Sequence, residues 1–208
     1  MSNSLFKAII FDMGEVLVKT FDRSHRTRLA SRFNLSFEEL EKIVYFSDSA
    51  VSAMSGEISE DEHFRYVLKV IGASYLKIHE FQEDFWGGDD IDKEMIDFIS
   101  ALKKQYKLGL LSNAMDSTRQ RLNDKYNLLA YFDAGIFSCE VRMAKPSPEI
   151  YKLLLNQLHV KPIESIFIDD NIDNLEAAQK LGLTIVHAIT TQQTIDSITQ
   201  LLELNLSS

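Results

Sequence analysis

The amino-acid sequence predicts an α/β fold, in which a helical block interrupts a parallel β-sheet that carries helices on both faces. Three observations lead to this prediction: short, wholly apolar segments recur along the chain, a helical pattern follows each of them, and one long stretch shows helical spacing only. Apolar runs without alternation are typical of parallel strands buried on both faces. Strands that alternate with helices form parallel sheets with right-handed crossovers.

Five apolar segments are predicted as strands. In chain order they are KAIIF before Asp12, LGLL before Ser112, AGIFS, SIFI before Asp169, and LTIVHA. The helices between them have recognisable ends. Ser147 followed by Pro148 is typical of a helix start, and Gly182 follows NLEAAQKL where a left-handed helix cap is expected. These signals predict alternating strands and helices over most of the chain.

The segment from about Lys19 to Trp86 shows helical spacing and no convincing strand. Two stretches within it match the capping box that starts a helix, Ser36 to Glu39 and Ser59 to Glu62. The apolar residues after the second box are spaced as one helix face: Phe64, Val67, Leu68 and Ile71. We therefore predict an α-helical cap domain at residues 19–86, inserted into a core domain formed by residues 1–18 and 87–208.

Composition limits the classes of function. The chain has 208 residues, of which 45% are hydrophobic, and a formal net charge of -9. This acidic charge disfavours binding to nucleic acid or to an anionic membrane surface. The single cysteine, Cys139, suits a reducing compartment and excludes a zinc site built from cysteines. No apolar run approaches the roughly 20 residues that span a bilayer, and the N-terminus lacks a signal-peptide pattern, so we expect a cytoplasmic protein.

Polar residues stand where the predicted strands end. Asp12, Ser112 and the pair Asp169-Asp170 each follow or close an apolar run. The carboxyl ends of parallel strands meet at one edge of the sheet, where ligands bind in α/β proteins, so these residues are expected in one pocket. Clustered carboxylates repel one another and need a cation. Oxygen ligands without clustered Cys or His favour Mg²⁺.

Each of these residues, taken singly, has an ordinary structural explanation. An Asp at a strand end is more often a turn or cap residue. Ser112 and Asn113 are typical of helix caps, and Lys145 before a proline is typical of an exposed loop. Their occurrence together, each at a matching place in the predicted sheet, favours a functional site.

Four segments in this order resemble the four motifs of the haloacid dehalogenase-like (HAD) hydrolase superfamily: FDMGEVL, LLSNA, KPSPEIY and FIDDNIDNLEAAQKLG. The resemblance covers the core from Phe6 to about Leu183, and the helical insert resembles the superfamily's C1-type cap. Within the superfamily, the chain resembles α-D-glucose-1-phosphate phosphatase-like members, which carry Asp-x-Gly in the first motif. The resemblance implies a Rossmann-like core and a Mg²⁺-dependent phosphatase of a small phosphorylated metabolite, such as a sugar phosphate. The implied partner is a small-molecule phosphate ester, and the chain is expected to be a monomer or a homodimer.

The resemblance also implies a catalytic role for Asp12 and a metal site around it. Asp12 is the expected nucleophile, which forms an aspartyl-phosphate that water then cleaves. The expected metal ligands are Asp12, the backbone carbonyl of Gly14, Asp170 and, within the same acidic set, Asp169.

Further roles follow from the second, third and fourth motifs. Ser112 and the backbone amide of Asn113 are expected to bind a phosphoryl oxygen of the substrate. Lys145 is expected to bind the phosphate of the substrate, to balance negative charge and to orient the nucleophile. Asn174 matches a position that completes the acidic shell or only packs its own helix.

Gly14 departs from the pattern of most phosphatases of the superfamily, which carry a second Asp there. That Asp protonates the leaving alcohol, a contribution typically worth roughly 10²–10⁴ in rate. Gly14 is therefore expected to preserve the carbonyl ligand, to allow a tight turn, and to remove the general acid/base. Three explanations stay open: a substrate with a good leaving group, participation of Glu15, or participation of a residue of the cap. The candidates in the cap are Asp22, His25, Glu57 and His63.

Two other functions compete with the phosphatase. A 2-haloacid dehalogenase uses the same Asp and Lys without a metal, but dehalogenases of this fold replace the acidic pair, whereas Asp169-Asp170 are present here. The second alternative is a turnover-deficient protein that binds a phospholigand, and Gly14 is its only support.

Overall fold

The structure is a computed structural model that describes residues 5–204. Its strands are β1 (Ala8–Phe11), β2 (Val18–Thr20), β3 (Asp89–Ile91), β4 (Lys107–Ser112), β5 (Ala134–Phe137), β6 (Ser165–Asp169) and β7 (Thr184–His187). Its α-helices are α1 (Ser24–Ser31), α2 (Phe37–Phe46), α3 (Asp48–Met54), α4 (Glu60–Val70), α5 (Ile78–Trp86), α6 (Lys93–Leu102), α7 (Thr118–Tyr126), α8 (Ser138–Val141), α9 (Pro148–Leu158), α10 (Ile172–Lys180) and α11 (Thr191–Leu204). Short 3-10 helices span Leu128–Tyr131 and Pro162–Glu164.

The main sheet is parallel throughout, in the order β5-β4-β1-β6-β7. β1 is central, and its Phe11 pairs with Leu110 of β4 and Ile168 of β6. The register therefore brings Asp12, the residue after β1, level with Asp169 at the end of β6. The predicted α/β fold class is confirmed, and the five predicted strands are the five of this sheet.

Alternate side chains of each strand point to opposite faces of the sheet. Ile9 and Phe11 pack in one cluster with α6, α7 and α11. Ala8 and Ile10 pack in a second cluster with α9 and α10. Burial on both faces explains why the β1 segment is apolar throughout.

The predicted helix signals are present in the structure. Ser36 and Ser59 each form a complete capping box at the start of α2 and α4. Pro148 is the first residue of α9, and Gly182 has a φ of +94° just after α10. These predictions are confirmed. Among the described residues, no helix combines the length and the apolar character that a membrane crossing requires.

Helices α1 to α5 pack around their own apolar cluster, in which Phe64, Phe81 and Phe85 are buried. Met115, which follows β4, belongs to the same cluster. Ser138 of the core donates a hydrogen bond to the carbonyl oxygen of Met54 at 2.5 Å. The helical block therefore rests on the carboxyl edge of the sheet. The domain division at residues 18/19 and 86/87 stays a prediction.

The two chain segments that join the helical block to the sheet pair with each other. β2 and β3 form an antiparallel ribbon, in which Thr20 lies opposite Asp89. The expectation of no strand from Lys19 onwards was wrong for the last two residues of β2. Strands of three residues are too short to show a periodic pattern, so the ribbon could not be read from the sequence.

Arg26 of α1 fastens the helical block to this ribbon. Its guanidinium donates two hydrogen bonds to the Asp89 carboxylate, at 2.6 and 2.8 Å, and one to Glu41 at 2.6 Å. The side chain is only 4% exposed and lies over the ring of Phe85, 4.3 Å from its centroid. The sequence analysis missed this residue, because its partners are remote in the chain.

Candidate active site

Three acidic side chains form one cluster at the carboxyl edge of the sheet: Asp12, Asp169 and Asp170. One oxygen from each lies within 4.8 Å of the other two. Asp12 is 8% and Asp169 is 0% exposed, whereas Asp170 is the exposed member. The parallel pairing of β1 and β6 creates this arrangement, since both strands end at the same level.

Lys145 lies between the two buried acids. Its Nζ atom donates hydrogen bonds to Asp12 Oδ1 at 2.6 Å and to Asp169 Oδ2 at 2.7 Å. The side chain is 1% exposed, which excludes the interpretation as an exposed loop lysine. Burial disfavours the protonated form, but the two carboxylate charges outweigh it and raise the pKa of Lys145. The ammonium is therefore a fixed positive charge within the acidic cluster.

One ammonium does not compensate the cluster fully. Burial raises the pKa of the Asp12 carboxyl to about 7, against the opposing charge of Lys145 and with the added repulsion of Asp169. Burial and the charge of Asp169 also raise the pKa of Asp170. Within residues 5–204, no cationic side chain forms an ion pair with the Asp170 carboxylate.

The acidic cluster carries more negative charge than Lys145 offsets. A bound metal ion would supply the missing positive charge. Carboxylate oxygens of Asp12 and Asp170 lie within 4.8 Å of each other, and Gly14 is two residues after Asp12. Hard oxygen donors with surplus negative charge are the ligands that Mg²⁺ prefers. The donor set therefore fits Mg²⁺.

Asp169 makes contacts that its neighbours do not. Its Oδ1 atom accepts hydrogen bonds from the backbone of Asn171 at 2.8 Å and from Asn174 Nδ2 at 3.1 Å, while Oδ2 accepts from Lys145. Both oxygens are therefore engaged by protein donors. These contacts make Asp169 the second anchor of Lys145, and its predicted role as a metal ligand stays a prediction. Asn174 contacts the acidic cluster directly, beyond packing its own helix.

Ser112 and Asn113 stand at the end of β4 beside this cluster. Ser112 is 1% exposed, with its Oγ atom 4.0 Å from the sulfur of Met13. The side chain of Asn113 donates to the carbonyl oxygen of Lys145 at 2.9 Å and accepts from its backbone N–H at 2.8 Å. Asn113 thus fixes the loop that carries Lys145, a contact that the sequence analysis did not foresee.

The turn after β1 contains Gly14 and Glu15. The backbone N–H groups of Leu17 and Val18 donate to the Met13 carbonyl at 2.8 and 3.0 Å. Glu15, with a φ of +52°, adopts the left-handed conformation, and Gly14 does not. The turn after β1 is tight, as expected, but Gly14 does not use the left-handed conformation that glycine favours. A Cβ atom at this position would have no heavy atom within 4 Å, so Gly14 leaves open space in the site.

Four residues of the cap were candidates to replace the general acid/base, and each of them contacts a residue close to it within the cap. His63 is 0% exposed inside the helical block, with Nδ1 3.1 Å from Ser49 Oγ. Glu57 accepts from Ser52 Oγ at 2.9 Å. Asp22 accepts from the backbone of Ser24 and lies 3.8 Å from His25. Among the described residues, none of the four candidates forms a hydrogen bond or ion pair with the acidic cluster.

The family described as haloacid dehalogenase-like hydrolase matches residues 6–182, which include every residue of the acidic cluster.

Three proteins illustrate what the chain is similar to. A D-ribitol-5-phosphate phosphatase from Bacteroides thetaiotaomicron is 28% identical over 86% of this chain and 89% of its own length. A sesquiterpene phosphatase from Aspergillus oryzae is 28% identical over 94% of this chain and 96% of its own length. A HAD family enzyme from Bacteroides thetaiotaomicron, solved in complex with magnesium and inorganic phosphate, superposes with a TM-score of 0.74 at 24% identity, covering 88% of this chain and 93% of that chain. The last comparison concerns the fold alone.

Proposed function

We propose, on the premise that this chain belongs to the haloacid dehalogenase-like hydrolases, that it is a Mg²⁺-dependent phosphatase of a small phosphorylated metabolite. The observation that carries the proposal is the buried ammonium of Lys145 between Asp12 and Asp169, beside the third carboxylate of Asp170. Such a cluster presents a nucleophile next to an acidic site for a hard cation. Two relatives that are phosphatases support the same reaction class. Resemblance to α-D-glucose-1-phosphate phosphatase-like members, cytoplasmic location and a monomeric or homodimeric state stay predictions.

Asp12 carries the chemistry in this proposal. Its carboxylate attacks phosphorus, the bond from phosphorus to the ester oxygen breaks, and an aspartyl-phosphate forms on Asp12. The ester oxygen leaves as an alkoxide and takes its proton from water. Water then cleaves the aspartyl-phosphate to inorganic phosphate and restores the carboxylate. Lys145 orients the attacking carboxylate through its 2.6 Å hydrogen bond. Ser112, at the end of β4, donates a hydrogen bond to a phosphoryl oxygen.

The residues that would hold Mg²⁺ are Asp12, Asp170 and the backbone carbonyl of Gly14, with Asp169 in the same acidic set. When bound, Mg²⁺ supplies positive charge that offsets the repulsion between the carboxylate and the phosphoryl group. Asp169 also holds Lys145 in position by accepting its hydrogen bond, and Asn174 holds the Asp169 carboxylate by donating to it.

The test of the proposal is phosphate release from p-nitrophenyl phosphate. We expect turnover with Mg²⁺, a fall of roughly 100-fold in EDTA, and recovery when Mg²⁺ is restored, because the metal contributes several kcal/mol of charge stabilisation. Release of halide from 2-chloropropionate without metal would favour the dehalogenase instead. Binding of phosphate with no turnover across a broad panel of esters would favour the phospholigand-binding protein.

Gly14→Asp is expected to increase the hydrolysis of esters with poor leaving groups. A side chain fits at this position, because a Cβ atom meets no heavy atom within 4 Å. A carboxyl group there can protonate the leaving alcohol, and we expect a gain of about 100-fold in kcat for alkyl phosphates. Anomeric sugar phosphates need less protonation, so their rates should change little.

The wild type provides the matched comparison for this variant. We expect it to hydrolyse anomeric phosphates faster than alkyl phosphates, measured by phosphate release with Mg²⁺. Two results would contradict the hypothesis that a good leaving group compensates for Gly14. One is equal wild-type rates for both ester classes, and the other is an unchanged rate of alkyl phosphate hydrolysis in Gly14→Asp.

A further inference from the structure

The turn between β6 and α10 carries Asp170, the exposed member of the acidic cluster. The carboxylate of its neighbour Asp169 is held by several protein donors, among them the backbone N–H of Asn171 at 2.8 Å. The Asp170 carboxylate, in contrast, accepts no hydrogen bond from another residue within residues 5–204. The direction of this carboxylate therefore depends on how firmly the backbone of the turn is held.

The peptide group that joins Asp170 to Asn171 is held at both of its polar ends. Its N–H, which belongs to Asn171, donates to Asp169 Oδ1 at 2.8 Å. Its C=O, which belongs to Asp170, lies 3.0 Å from Nε2 of His187. Because a carbonyl oxygen only accepts hydrogen bonds, Nε2 carries a proton and acts as the donor. The His187 side chain therefore supplies one of the two contacts that fix this peptide group.

A fixed carbonyl group limits the rotation of the Asp170 backbone. The orientation of the carbonyl sets the ψ angle of Asp170, one of the two soft backbone dihedrals of a residue. The backbone dihedrals set the direction of the bond from Cα to Cβ, and thereby the region that the carboxylate reaches. Without the donor on residue 187, the carbonyl would turn to water, and the Asp170 carboxylate would point in a wider range of directions.

The backbone of His187 is itself firmly held. His187 is the last residue of β7, and it lies opposite Asp169 in the parallel pairing of β6 with β7. The next residue, Ala188, donates its backbone N–H to the carbonyl oxygen of Asp169 at 3.0 Å. Further along the same segment, Thr191 Oγ1 accepts from Lys19 Nζ at 2.6 Å, which ties the segment to β2. The imidazole ring therefore extends from an anchored backbone and is a rigid support for Asp170.

We propose that His187 is a positioning residue of the Mg²⁺ site, which raises the affinity for the metal by holding Asp170 in the direction that binds it. This inference rests on the proposed phosphatase function, because it concerns the metal site of that function. Replacing a residue that orients a metal ligand typically costs roughly 10–100-fold in metal affinity. His187 contacts the backbone of Asp170 and not its carboxylate, so we expect a loss at the lower end, about tenfold.

Three variants separate the hydrogen bond from the other properties of the side chain. His187→Phe keeps a ring of similar shape and removes the donor. His187→Gln keeps an N–H donor at a similar reach, without the ring and without a positive charge. His79→Phe is the matched control, because His79 is also exposed but lies on α5, outside the acidic cluster.

Calorimetric titration with Mg²⁺, in the absence of substrate, measures the affinity directly. Relative to the wild type, we expect the dissociation constant to rise about tenfold in His187→Phe and by less than about twofold in His187→Gln and His79→Phe. The melting temperature in EDTA should be the same in all of these proteins, because both histidines are exposed and their replacement leaves no cavity. An unchanged dissociation constant in His187→Phe, or an equal rise in His187→Gln or in the control, would overturn the inference.

Direct binding also separates this inference from the proposed function. If Mg²⁺ binds with the expected order of affinities but the wild type does not hydrolyse phosphate esters, the inference stands and the phosphatase is rejected. If the wild type hydrolyses p-nitrophenyl phosphate but His187→Phe binds Mg²⁺ as tightly as the wild type, the phosphatase stands and the inference is rejected. A wild type that binds no Mg²⁺ would reject the inference, whatever its activity.

Discussion

Asp12→Asn is expected to lower kcat for p-nitrophenyl phosphate by at least about 10⁴, the scale on which loss of a catalytic nucleophile acts. The amide has nearly the shape of the carboxylate and can still accept the hydrogen bond from Lys145, which is 2.6 Å long in the wild type. The geometry of the site is therefore kept, while the group that attacks phosphorus is lost. Phosphate release under saturating substrate and Mg²⁺ measures the effect.

The fold of this variant is expected to remain intact. Burial raises the pKa of Asp12 to about 7, so ionised Asp12 opposes folding at pH values above the carboxyl pKa of the unfolded chain. Removing that charge should leave the melting temperature in EDTA unchanged or higher. A residual rate within tenfold of the wild type, in a folded sample, would show that Asp12 is not the nucleophile.

Lys145→Met is expected to lower kcat/KM by about 10³ and to destabilise the protein as well. Methionine matches the volume of the lysine stem, but it leaves Asp12 and Asp169 without the ammonium that contacts both. Removal of one partner from a buried ion pair typically costs about 3–5 kcal/mol. Thermal unfolding in EDTA measures this loss, and added Mg²⁺ should recover part of it by binding the uncompensated carboxylates.

Two further variants identify the cause of these effects. Lys145→Met/Asp169→Asn removes one of the two carboxylates left without a partner, so we expect it to recover stability but not activity. Lys152→Met is the matched control, because Lys152 is 56% exposed and its partner Glu149 lies 3.9 Å away on the surface. If Lys145→Met were as active as this control, Lys145 would have no part in catalysis.

The sequence predicted the sheet well because each strand is short, wholly apolar and followed by a helix signal. The segment before Asp12 illustrates this, since burial of β1 on both faces leaves no position for a polar residue. The capping boxes at Ser36 and Ser59 were equally readable, because a cap involves only residues three apart. The sequence also predicted that Asp12 and Asp169 lie close together, because the carboxyl ends of parallel strands meet at one edge of the sheet.

The contacts between remote segments could not be read in the same way. The hydrogen bonds of Asn113 to the backbone of Lys145 and the ion pair of Arg26 with Asp89 each join residues that no local pattern connects. The sequence also did not show that Glu15, and not Gly14, adopts the left-handed conformation. Glu15, the residue after Gly14, has the strained conformation. The hydrogen bonds that Leu17 and Val18 donate to the Met13 carbonyl close the turn and stabilise that conformation.

The sequence by itself determined the α/β class, the strand ends and the residue types at the acidic cluster, since all three depend on local spacing and on the burial of apolar side chains. The tertiary structure decided which acid anchors Lys145 and how the β2–β3 ribbon joins the helical block to the sheet. These features depend on distances between segments far apart in the chain. Such distances arise only when the helices pack on the sheet, and no local periodicity encodes them.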